Sequence, residues 1–111
     1  MKKILILFTL FIIGLSSNLN AAAYKGQRLY TKNCLKCHGR EEFVLSKTKA
    51  QWQQALSNNG KTLANLHLKS QKAQDSWKFF KSKKYYKKLK HLKDFFSDYA
   101  KDSGKVPIFN K

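Results

Sequence analysis

Apolar residues recur at helical spacing through most of the chain beyond residue 24, and no stretch alternates as a half-buried β-strand would. The pattern therefore predicts an all-α protein whose longest helix is the last one. The helical segments are expected at 25–34, from an N-cap at Ser46 or Thr48 to the turn Asn58–Gly60, from Thr62 onward, for a turn or two within 74–80, and over 84–102.

The last predicted helix carries the clearest apolar stripe. Its members follow one another at alternating spacings of four and three residues, which keeps them on one helix face: Tyr85, Leu89, Leu92, Phe96 and Tyr99. By the same reasoning, Trp52, Ala55 and Leu56 point inward from the second helix, and Leu63, Leu66 and His67 share one face of the third.

The first residues have the organisation of an export signal. Two lysines are followed by the apolar run Ile4–Leu15, and Ala21 and Ala23 match the small-residue rule for cleavage. We expect a signal peptide over 1–23 and one small domain over 24–111. An uncleaved membrane anchor is the alternative, although the run is shorter than the roughly 20 apolar residues that span a bilayer. Removal of the signal would leave the protein in the periplasm.

The expected exported chain is strongly basic, with 21 lysine and arginine residues against six acidic ones. In an exported protein this charge favours an acidic protein partner or an anionic membrane surface rather than nucleic acid. A plain solvated surface is the third interpretation of the same charge.

The two cysteines of the chain, Cys34 and Cys37, are followed directly by His38. This Cys-x-x-Cys-His order is the attachment signature of c-type haem. Two thiols one helical turn apart can each form a thioether with one vinyl group of the same porphyrin, and the next imidazole can then bind the iron. The sequence therefore predicts one covalent haem c, with His38 as the proximal iron ligand.

Three other functions of these residues agree less well with the sequence than haem attachment does. A thioredoxin-like redox pair requires a βαβ context that the pattern does not predict. A zinc site formed by Cys34, Cys37, His67 and His91 would have unusual ligand spacing. A disulfide between the two cysteines would close too short a loop to add much stability.

The stretch "YKGQRLYTKNCLKCHG" resembles the N-terminal helix and haem motif of the small single-haem class I cytochromes c. In that family a glycine and an aromatic residue of the first helix pack on an apolar residue and a tyrosine of the last. Gly26 and Tyr30 match the first pair, and Phe96 and Tyr99 match the second. The resemblance implies a small helical domain around one haem and a role in electron transfer.

The chain departs from this family at the sixth iron ligand, which is usually a methionine. Its one methionine is Met1, within the expected signal peptide. His67 is the favoured distal ligand because leucines surround it in "LANLHLKS", and His91 is the runner-up. A lysine such as Lys81 or Lys83, or an open position, completes the alternatives.

These features together predict a monomeric periplasmic one-electron carrier rather than an enzyme. Its partner is expected to be an acidic redox protein that approaches the lysine-rich segment Lys69–Lys93. Two alternatives remain: a haem protein whose open sixth site binds a small ligand or peroxide, and a basic surface-binding module in which the haem is structural.

Overall fold

The structure is a computed structural model that describes residues 21–109, so most of the expected signal peptide lies outside the described residues. Every regular element in this part of the chain is helical, which confirms the all-α prediction. The α-helices are α1 (Ala21–Asn33), α2 (Leu35–His38), α3 (Glu41–Val44), α4 (Lys49–Ala55), α5 (Lys61–Leu68), α6 (Trp77–Phe80), α7 (Lys83–Lys87) and α8 (Leu89–Asp98), with a 3₁₀ helix at Gln71–Ser76. Between residues 21 and 109, no helix is long and apolar enough to cross a membrane.

The crossing of α1 and α8 forms the centre of the core. A Cβ atom at Gly26 would overlap the carbonyl oxygen of His91 and lie 2.6 Å from the Cβ of Phe95, so only glycine allows this approach. Next to the glycine, the fully buried Tyr30 packs its ring on Phe95 and edge-on to Phe96. The predicted close crossing at Gly26 is confirmed, with His91 and Phe95 as the residues it meets.

The start of α4 follows its sequence signal closely. Thr48 is the N-cap, and its side chain and that of Gln51 form a reciprocal capping box. The helix ends at Ala55, and the turn that follows has positive φ angles at Asn58, Asn59 and Gly60. Trp52 and Leu56 are buried as predicted, and the indole nitrogen of Trp52 donates to the carbonyl oxygen of Val44 at 3.0 Å.

The prediction of one continuous last helix is wrong, because Lys88 interrupts it between α7 and α8 with φ −100° and ψ 5°. The interruption accompanies two contacts with one glycine. The Tyr85 hydroxyl donates to the carbonyl oxygen of Gly60 at 2.6 Å, and Leu89 packs on the same glycine. The apolar stripe nevertheless faces the core: Tyr85, Leu89, Leu92 and Phe96 are buried as predicted, and Tyr99, its fifth member, is partly buried against the core.

The first helix begins earlier than the sequence pattern predicts, at Ala21 instead of residue 25. Ala23 is buried in the fold. The expected cleavage point after Ala23 therefore lies within the first turn of α1, and cleavage there stays a prediction.

Candidate functional site

The cysteine–histidine motif is held at the end of α1. The Cys34 amide donates to the carbonyl oxygen of Tyr30 at 2.8 Å, and the His38 amide donates to that of Cys34 at 3.0 Å. The chain then turns at Gly39, whose φ of 84° favours glycine. The buried Tyr30 hydroxyl donates to the Gly39 carbonyl oxygen at 2.6 Å, so the residue that packs the helix crossing also fixes the end of the motif.

Both cysteines and two histidines line one cavity of about 360 Å³, which we call the motif cavity. Its walls come from the end of α1, α2, the end of α5, the 3₁₀ helix and α6. The lining residues are Asn33, Cys34, Cys37, His38, Leu66, His67, Ser70, Lys72, Ala73, Ser76 and Phe80.

His38 and His67 both line this cavity and lie close together although 28 residues separate them in the sequence. Their ring centroids are 5.9 Å apart, and the ring planes are nearly perpendicular, at 79°. Two metal–nitrogen bonds of about 2 Å each, together with the radii of the two imidazole rings, would occupy roughly this distance. The spacing therefore suits one metal ion held between the two rings.

The orientation of His67 is fixed by three contacts. Its Nδ1 lies 2.8 Å from the Leu63 carbonyl oxygen, its ring stacks on Phe80 at 4.3 Å, and its own carbonyl oxygen accepts the indole N–H of Trp77 at 2.7 Å. Because a carbonyl oxygen only accepts hydrogen bonds, this contact requires a proton on Nδ1, and the tautomer that carries its one ring proton there has its lone pair on Nε2. Histidines that bind metals typically make this second hydrogen bond.

His38 is held by stacking. Its ring lies 4.1 Å from that of Phe43, with an interplanar angle of 20°. Desolvation lowers the pKa of His38, and the neighbouring His67 lowers it further. Both effects favour the neutral imidazole, which is the form that coordinates a metal.

The two thiols differ in environment. Cys34 is partly buried and Cys37 is exposed, and neither forms a disulfide. Burial raises the pKa of Cys34 to about 12, and the nearby Cys37 adds to the shift. Both groups are reduced thiols, as thioether formation requires.

The other predicted iron ligands lie elsewhere. His91 lines a separate cavity between α1 and α8 that shares no residue with the motif cavity. Lys81 and Lys83 do not line the motif cavity, and the Lys81 ammonium lies 5.7 Å from the centre of the Trp77 ring. Among the described residues, no three or more His, Cys, Asp or Glu side chains are placed so that they could hold a metal ion by themselves, and the four residues of the zinc alternative are therefore not assembled.

Sequence reasoning missed three polar residues that line the motif cavity, Asn33, Ser70 and Ser76, whereas Lys72, which also lines it, belongs to the predicted segment Lys69–Lys93. Asn33 precedes the motif directly and could have been inferred from that position. Ser70 and Ser76 reach the cavity only because the 3₁₀ helix passes beside His67, and no local sequence signal marks them. Leu66 also differs from expectation, since it is 63% exposed at the cavity mouth although the helical pattern directs it inward.

The donor set of the motif cavity fits a covalent haem. It provides two thiols that form no disulfide, an imidazole next to them in the sequence, and a second imidazole whose Nδ1 is hydrogen-bonded to the Leu63 carbonyl oxygen. The chain matches no protein-family model, no curated protein and no solved structure.

Proposed function

We propose that the protein is an exported monohaem c-type cytochrome that carries one electron at a time between redox proteins in the periplasm. Cys34 and Cys37 would hold the haem through thioethers, and His38 and His67 would bind its iron. When bound, the haem supplies a one-electron couple between ferric and ferrous iron.

The observation that carries the proposal is the short distance, 5.9 Å between ring centroids, that separates His38 and His67 at a cavity that both cysteines line. A redox dithiol or a structural disulfide would not need this second imidazole. An iron with two histidine ligands has no open position, which favours electron transfer over binding of a small ligand. We expect its potential to be lower than that of a cytochrome with histidine and methionine ligands.

Access to the cavity supports exchange of electrons with a partner. Cys37 is exposed and Leu66 stands at the mouth, so one edge of a bound group would lie near the surface. Lys72 lines the same cavity. By contrast, Lys84 and Lys88 of the predicted partner segment line the cavity near His91 and not the motif cavity.

A denaturing gel tests the covalent attachment. The wild-type protein from an exporting host should keep its haem colour after denaturation, because thioethers survive unfolding. Replacing both cysteines, Cys34→Ser and Cys37→Ser, should abolish the colour, while His91→Ala should retain it. Loss of colour from the denatured wild type would rule out haem c.

The partner is tested by the rate of electron exchange with an acidic redox protein. Exchange should slow as salt rises, because a Debye length of about 10 Å at 0.1 M screens the basic field. Lys72→Glu should slow it more than Lys101→Glu, which makes the same charge change away from the cavity. If the rate were independent of salt, the lysines would be only a solvated surface.

A further inference from the structure

A second and larger cavity, of about 870 Å³, lies along α1 and is bordered by α7, α8 and the C-terminal segment. We call it the α1 groove. Three cations of α1 line it at spacings of three and four residues, which puts them on one helix face. Two more come from α7 and the residue that follows it, four positions apart; the five are Lys25, Arg28, Lys32, Lys84 and Lys88.

The positive charge of the α1 groove is not compensated locally. No carboxylate lines the groove, and the ion pairs found within residues 21–109 involve other cations, Arg40 and Lys105. The five side chains are all exposed and free to meet a ligand. A surface with five cations and no acid is complementary to a dense array of negative charges.

The cations of the groove affect the pKa of His91, which lines it. Its pKa is lowered by desolvation and by Lys25, Lys90 and Lys88, and Asp94 opposes the shift. Its Nδ1 is buried and has no hydrogen-bond partner among the described residues. An anion in the groove would offset the part of this shift that the lysines cause.

Apolar side chains stand beside these cations at the groove. Tyr24 is 62% exposed and Ile108 is 81% exposed, and both line it. Binding of a soluble anion would not require exposed apolar side chains. A membrane interface, by contrast, accommodates an aromatic ring and an aliphatic side chain next to lysines. In the sequence, the expected cleavage point directly precedes Tyr24, so the exported chain would begin beside the groove.

We propose that the α1 groove docks on an anionic phospholipid surface, with its five cations against lipid phosphates and with Tyr24 and Ile108 in the interface. The groove and the motif cavity have no lining residue in common. The protein would therefore keep the mouth of the motif cavity available to a redox partner while it is bound to the membrane. This inference goes beyond electron transfer and does not depend on it.

Sedimentation with vesicles tests the proposal. The exported protein, as purified, is mixed at low salt with vesicles of phosphatidylcholine alone and with vesicles that also contain phosphatidylglycerol. The wild type should bind the anionic vesicles in clear preference to the neutral ones, and salt should reduce the difference. Equal binding to both kinds of vesicle would overturn the proposal.

Matched triple variants locate the binding surface. Each cation at an anionic membrane contributes about fivefold to binding, so neutralising three should weaken binding on the order of 100-fold. The groove variant is Lys25→Gln, Arg28→Gln and Lys32→Gln, and the control variant is Lys61→Gln, Lys78→Gln and Lys101→Gln. An equal loss in both would assign binding to net charge and overturn the proposal.

A third variant and a soluble probe separate a lipid surface from a free anion. Ile108→Ser should weaken binding to the anionic vesicles about tenfold, because it removes an apolar side chain from the interface. Tripolyphosphate should bind weakly to the wild type. Tight tripolyphosphate binding that the groove variant loses, with no effect of Ile108→Ser on vesicle binding, would instead make the groove a site for a soluble anion. Sedimentation measures the amount of protein bound to the vesicles. The test of membrane binding is therefore independent of whether the protein carries haem.

Discussion

Gly26→Ala is expected to destabilise the protein by forcing α1 away from α8. The added Cβ would overlap the His91 carbonyl oxygen and come within 2.6 Å of the Phe95 Cβ. Both obstacles belong to or adjoin the α8 backbone, which cannot move aside as the end of a flexible side chain can. The two helices would have to separate, and packing between Tyr30 and Phe95 would loosen with them.

The size of the effect follows from two opposing terms. Overpacking of a tight core costs about 1–3 kcal/mol, and obstruction by backbone favours the upper end or beyond. Alanine is a better helix former than glycine, and this preference offsets the destabilisation by about 1 kcal/mol. We therefore expect the free energy of unfolding to fall by about 2 kcal/mol.

Chemical denaturation followed by circular dichroism measures this change. Thr31→Ala is the control, since Thr31 is exposed on the same helix and its replacement should change stability by no more than about 0.5 kcal/mol. If Gly26→Ala unfolded at the same denaturant concentration as the wild type, or at a higher one, the close crossing of α1 and α8 would be refuted.

Two further predictions follow from buried and charged groups. Tyr85→Phe removes the donor to a buried carbonyl oxygen and should lower the free energy of unfolding by about 1–2 kcal/mol in the same denaturation assay, whereas the exposed neighbour should tolerate Tyr86→Phe without loss. Lys25→Gln should raise the pKa of His91 toward its ordinary value, because one of the cations that depress it is gone; a pH titration of the His91 ring protons by NMR measures the shift, and an unchanged pKa would contradict the electrostatic account of the α1 groove.

The helices and the apolar faces could be predicted because they depend on local spacing. The N-cap at Thr48 and the buried positions of Trp52 and Leu56 follow directly from their neighbours in the sequence. The interruption at Lys88 could not be predicted in this way, because a spacing of four between Tyr85 and Leu89 is the same in one helix or in two. What distinguishes the two cases is the contact of both side chains with Gly60, which is remote in sequence.

The motif residues of the candidate site could likewise be predicted from local sequence, but the second histidine of the site could not. Spacing alone left His67 and His91 both open, because either could reach His38 through an unknown chain path. The path of α5 and the 3₁₀ helix brings His67 to the motif cavity, and the crossing of α1 and α8 puts His91 in the α1 groove. Iron binding, and His67 as its second ligand, stay predictions that spectroscopy can test.

The absorption spectrum of the purified protein, oxidised and reduced, tests the central claim most directly. The account predicts a low-spin c-type haem without the near-infrared band of methionine ligation, unchanged by carbon monoxide. His67→Ala should convert it to a high-spin spectrum that carbon monoxide shifts, while His91→Ala should leave it as in the wild type. A protein without haem absorption, or a wild type that is already high-spin and binds carbon monoxide, would contradict a haem held between His38 and His67.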